Sequence, residues 1–290
     1  MAIDFRQVQK PGRKLRKLLK KMSAEPSPAQ VHDFRTNSRK LEATVQAFGL
    51  ARDGAVRRAL KPLSRLRKRA GKIRDMDVLT GYAATIHAGD GEKDCAVQLL
   101  EYLGAQRRKH ARKFHSAVLE DTSKLRRRLR KAERDLAKDQ KQVEVNGKPL
   151  AQPSSSALDL GSDLASVPRL NRSNLHPFRL KVKELRNVLR LAEAPDENLI
   201  NALGDVKDAI GEWHDWEELV GIAQKVLDHS SQCKLVQQLR STSHERYDTA
   251  LSQAEQLRKR YLGISSKKPV RSRSAAPPES VLRAAMKLVA

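Results

Sequence analysis

Aromatic residues make up only 4% of this 290-residue chain, cysteine occurs twice, and 34 Asp plus Glu are outnumbered by 58 Lys plus Arg. So few aromatics argue against a single-stranded nucleic-acid platform, which stacks bases on Phe, Tyr and Trp, though not against contacts to a duplex backbone. Cys95 and Cys233 lie far apart in apolar helical patterns and form no CxxC, so they read as buried thiols rather than a disulfide or metal site. No apolar run approaches the roughly 18 residues that span a bilayer, and no apolar signal-peptide core opens the sequence. The expected setting is soluble and cytoplasmic. HExxH, CxxC and HxxxH are missing, and so are a Gly-rich phosphate loop and a GxSxG elbow. Neither a metal, a cofactor nor a catalytic residue is expected.

What is present is positive charge. A formal net charge of +24 exceeds what solubility requires and calls for a polyanionic partner. Composition alone leaves three open: nucleic acid, an anionic membrane surface, or inorganic polyphosphate. A 39% hydrophobic content supplies a core for one large domain or two smaller ones.

The charge is patterned. VHDFRTNSRKLEATVQAF, from Val31 to Phe48, is echoed 144 residues later by LHPFRLKVKELRNVLRLA, from Leu175 to Ala192. In the first copy His32, Arg35 and Arg39 stand at i, i+3 and i+7; in the second His176, Arg179, Lys183 and Arg186 stand at i, i+3, i+7 and i+10. At roughly 100° per residue these offsets fall within about 80° of a helix surface, so each copy is a helix with a histidine-headed cationic stripe. Each copy is followed by a second matched block. GKIRDMDVL (Gly71 to Leu79) aligns with GEWHDWEEL (Gly211 to Leu219), placing Arg74 opposite His214.

Residues 13–22 form an amphipathic basic helix starting at Pro11 and Gly12, expected to pack its leucines on a bundle. The first histidine helix presents Val31, Phe34, Leu41, Val45 and Phe48 to a core. A basic helix over 55–74 carries a further stripe, Lys61, Arg65, Lys68 and Lys72, and helices follow over 75–87, 92–119 and 124–141. The Ser-, Pro- and Gly-rich stretch 143–172 reads as a linker. The second part has helices near 174–193, 197–214, 216–229 and 232–262, with Pro177 placing His176 in a first helical turn. Residues 265–290 read as a basic flexible tail with a short apolar end that docks. Nothing alternates at period two, so the fold class is all-α.

Asp75, Asp77, Asp215 and Glu217 are the best candidates for paired carboxylates, but they read more simply as N-caps after helix breaks. Anion binding fits the residue types better. Arginine pairs bidentately with phosphate oxygens, lysine supplies a mobile charge, and histidine a donor that gains charge as pH falls.

These paired blocks resemble the CHAD family, the conserved histidine α-helical domain, over most of residues 5–262. The resemblance implies two pseudo-symmetric antiparallel helical bundles, 1–142 and 173–264, facing each other across a basic channel that binds inorganic polyphosphate without turnover. It carries that contact to His32, Arg35, Arg39, Lys40, His176, Arg179, Lys183 and Arg186, with Arg74 and His214 from the later blocks; the Lys61, Arg65, Lys68 and Lys72 stripe joins them on charge alone. Glu42 and Glu184 depart from the motif and put their flanks in doubt. The implied location is the cytoplasm, at polyphosphate granules. A sequence-independent nucleic-acid binder and a polyphosphate-processing enzyme are the competing readings, and no residue pattern sets an oligomeric state.

Overall fold

The structure, a computed structural model, describes residues 5–47, 54–86, 93–146, 151–192, 195–227, 233–263 and 277–287. Among these the chain forms α1 (Phe5–Lys20), α2 (Pro28–Ala47), α3 (Gly54–Thr85), α4 (Lys93–Asn146), α5 (Ala151–Ser166), α6 (Leu175–Leu189), α7 (Glu197–Val226), α8 (Lys234–Tyr261) and α9 (Glu279–Met286), and no β-strand. The all-α expectation holds. No helix among the described residues is long and apolar enough to cross a membrane.

The apolar stripes sort into three cores. Leu15 of α1, Phe34 of α2, Leu63 and Leu66 of α3 and Phe114 and Leu125 of α4 close the first half. Phe178, Val182 and Leu185 of α6 pack with Leu203 and Trp213 of α7, Ala250 of α8 and Val281 of α9 in the second. A third core is shared: Met76 and Leu79 of α3 and Leu103 of α4 meet Trp216 and Leu219 of α7 and Leu239 of α8. Apart from Ala250 these are large apolar groups with little exposure, and fully burying a Val, Leu, Met or Phe side chain contributes about 1.5–3 kcal/mol. The two halves are thereby joined through apolar packing.

That third core explains why several helices are longer than expected. The expected break between 74 and 75 does not occur, because α3 runs through it. Its apolar positions Leu63, Leu66, Ala70, Ile73, Met76 and Leu79 keep helical spacing without interruption, first into its own core and then into the shared one. Helix α7 does the same, with Trp213 in the second core and Trp216 in the shared one. The two matched blocks thus sit where each long helix passes from a private core into a common one. Asp75, Asp77, Asp215 and Glu217 are consequently mid-helical and not N-caps. The stretches 92–119 and 124–141 likewise fuse into α4, and α1 begins at Phe5 with Pro11 inside it.

The linker expectation also needs correction. Residues 151–166 are the helix α5, and Ala157 and Leu164 are buried in the second core. Serine content hid an amphipathic spacing. Ser154 donates its hydroxyl to the Ala285 carbonyl of α9 at 2.9 Å, and α9 buries Val281, Ala284 and Ala285, so the apolar end of the tail does dock. Residues 264–276 of the tail, and Phe48, lie outside the described residues.

Candidate anion-binding site

Helix α2 packs on α6 and α3 on α7, which turns the two histidine-headed stripes toward one another. Asp196 caps α7 by accepting from the Leu199 amide at 3.1 Å, and Asn174 stands at the N-cap of α6, leaving His176 in the first turn as the position of Pro177 predicts.

The cations meet along a seam between the halves. Lys183 of α6 is held down to about 7, first by burial and then by Arg39, Arg179, Arg67 and Arg35 in that order. Arg39 is pushed down to about 10, again first by burial and then by Arg35, Arg67 and Arg179. Burial removes water from these charges, and the charges that surround them have the same sign. After burial, the leading influences on Lys183 are cations from both halves, so an anion bound there would stabilise its ammonium form.

Further along, Lys40 is lowered by burial and then by Arg190, Lys14, Lys10 and Arg186. Helix α1 therefore does two things: it buries Leu15 and Leu19 and brings Lys10 and Lys14 to this end of the seam. From His176 to Arg190 the cationic line extends about 20 Å at 1.5 Å per residue.

At the opposite end the character changes. The His176 and His214 rings stack tilted, 4.5 Å apart, and the buried Nδ1 of His176 has no hydrogen-bond partner. Burial, then His214 and Arg179, lower the His176 pKa, so this imidazole is neutral near pH 7. Carboxylates gather beside His214. Asp215 is raised to about 6 by burial, with Arg179 and His214 opposing, and Glu218 is raised by burial and by Asp75. His214, Asp215 and Glu218 bring ligand atoms within 4.8 Å of one another, a set that suits a divalent cation. His214 has Glu218 alongside because the two stand one helical turn apart on α7.

The guanidiniums are anchored individually. Arg179 donates from Nε to the Lys207 carbonyl at 2.9 Å and Arg186 to the Ile200 carbonyl at 3.1 Å. A Cβ on Gly211 would lie 2.5 Å from Nη2 of Arg179, and one on Gly204 2.9 Å from Nη2 of Arg186. These two glycines let the guanidiniums lie flat on α7. In the first half Arg35 lies 3.5 Å from the Asp75 carboxylate, and Arg67 donates to Glu42 at 3.1 Å.

Arg35, Arg39, Lys40, Arg74, His176, Arg179, Lys183, Arg186 and His214 thus assemble around the seam, Arg74 through its proximity to Arg35 and Asp75. His32 is exposed and contacts Thr36 at 3.4 Å. Lys61, Arg65, Lys68 and Lys72 do not join the seam; they line a different groove, against α4. The sequence reading misses Arg67, Lys10, Lys14 and Arg190, and it reads Asp75 and Asp215 as N-caps instead of groups that face the seam. Arg67 was legible as the residue seven before Arg74, on the same face of the helix. Glu42 pairs with Arg67, whereas Glu184 is exposed to solvent.

A family model described as CHAD domain matches residues 7–224. The crystal structure of the CHAD domain from the plant Ricinus communis superposes with a TM-score of 0.57 at 14% identity, covering 93% of this chain and 95% of that one. A comparison with curated protein sequences finds no match.

Proposed function

The chain belongs to the CHAD domain family, and from that premise we propose that it binds inorganic polyphosphate, without turning it over, along the cationic seam between its halves. The observation that carries this reading is the convergence of Arg35, Arg39 and Arg67 from one half with Arg179 and Lys183 from the other around a partly dehydrated space. Bringing like charges together is unfavourable, and the shared apolar core offsets it in the free protein. A chain with a charge on every unit relieves that repulsion at several points at once and releases its counterions.

Arg39, Lys183 and Arg179 grip the middle of the chain and Lys40, Arg186 and Arg190 its outgoing part. His176, neutral at pH 7, donates a hydrogen bond rather than a charge. Asp215 repels phosphate beside His214, whereas the charge of Asp75 is offset by Arg35. The cytoplasm, at stored polyphosphate, is the setting this reading implies.

Competition titration tests it. Long-chain polyphosphate should displace duplex DNA of equal total charge, with affinity falling as salt rises, and no orthophosphate should be released. Equal or tighter DNA binding would replace polyphosphate with nucleic acid as the ligand, and phosphate release would convert the binder into an enzyme.

A further inference from the structure

The cations of α3 that face away from the seam border a groove of about 1050 Å³ between α3 and α4. Lys61, Arg65, Lys68 and Lys72 form one wall, and His110 and Lys113 belong to the other. From Lys61 to Lys72 the wall rises about 16 Å with a cation at each helical turn. The far end is partly neutralised, because Arg65 pairs with Asp121. Lys68, Lys72 and Lys113 are exposed, and no carboxylate among the described residues pairs with them.

The near end adjoins the seam. His110 is lowered by burial and then by Lys72, Lys113 and Lys109, with Asp75 opposing. The same Asp75 carboxylate lies 3.5 Å from Arg35 and feels Arg39 and His214. One side chain therefore stands at the junction of two cationic surfaces that are otherwise on different faces of α3.

Resting on the polyphosphate reading above, we propose that a long polyphosphate chain leaving the seam passes Asp75 and continues along the α3/α4 groove, held there by Lys72, Lys68 and Lys113. Two adjacent helices, about 8–10 Å apart, leave a furrow suited to a thin flexible chain. A duplex carries its phosphates on a stiff rod and meets only the rims of such a furrow. The groove makes binding depend on chain length: short chains fill the seam, and long ones gain the extra contacts.

The test uses the full chain carrying Lys68→Glu, Lys72→Glu and Lys113→Glu, with the matching Lys→Gln triple variant in case charge reversal disturbs folding, and helicity checked by circular dichroism. Tripolyphosphate should bind the variants as it binds the parent, within about twofold. Long-chain polyphosphate should bind about tenfold more weakly at low salt, and its log–log salt slope should fall by about 2, near 0.7 for each lost contact to a single strand. An unchanged long-chain affinity and slope in both variants would overturn the inference, as would equal losses for short and long chains. A loss confined to duplex DNA would overturn it too and give the groove to nucleic acid. Failure of the parent protein to bind polyphosphate at all would instead sink the function proposed above.

Discussion

Arg35 and Arg179 occupy equivalent places in the two repeats and are held in opposite ways. Arg179 leans on a backbone carbonyl across a glycine, and among the described residues no carboxylate forms an ion pair with it. Arg35 faces a carboxylate, Asp75, which offsets part of its field. The same glycine is present in both blocks, yet a Cβ on Gly71 would meet nothing within 4 Å. Ten residues after the motif histidine the contrast repeats: the second half has Arg186 on the Ile200 carbonyl, and the first has Glu42, which recruits Arg67 from α3. The second half is a preset anion surface. The first is a surface whose charge is tuned by its own acids.

The bluntest way to break this comparison is to reverse charge on both sides. Arg35→Glu with Arg179→Glu should weaken polyphosphate binding by about a hundredfold or more while circular dichroism stays unchanged, since each charge-assisted contact contributes about 1.5–3 kcal/mol. Unchanged affinity in a folded double variant removes the seam as the site.

Single truncations sharpen it. Arg179→Ala should cost about tenfold in a polyphosphate titration, near 1.4 kcal/mol, and Arg35→Ala only about threefold, because Asp75 already cancels part of its charge. Equal losses would show that the mode of anchoring does not matter. Smaller still, Glu42→Gln should tighten binding about twofold by freeing Arg67, with about 1 kcal/mol of stability lost from a partly buried ion pair.

The smallest effect is a proton. Lys183, at about 7 in the fold against an ordinary 10.5, is largely neutral at about pH 8.5. The unfolded chain binds the extra proton across that window, so this group makes stability rise with pH from about 7 to 10.5. A bound polyanion restores the charge, and titrations in buffers of different ionisation enthalpy at about pH 8.5 should show uptake approaching one proton, absent in Lys183→Met. No uptake would place Lys183 away from the ligand.

Much of this was legible in advance, for identifiable reasons. Helical periodicity is a local property, so the stripes of α2 and α6 and the docking of Val281 at the tail could be read from spacing. The ends of α3 and α7 could not, because a change of motif looked like a change of element. What continues through Met76 and Trp216 is the apolar contact, and it has no partner until the two halves meet. Ser and Pro content conceals the helix over 151–166, whose signal is the spacing of Ala157 and Leu164. Lys61, Arg65, Lys68 and Lys72 were joined to the site on charge alone, although their face of α3 points to α4.

By itself the sequence determined an all-helical chain, a doubled cationic motif and a demand for a polyanion, since residue type and spacing along one helix depend on nothing beyond it. Only the tertiary structure decided which cations share a space. Like charges assemble against their own repulsion when apolar burial elsewhere holds their helices in place, and that burial joins residues of α3 and α4 to those of α7 and α8, more than a hundred positions apart in the chain.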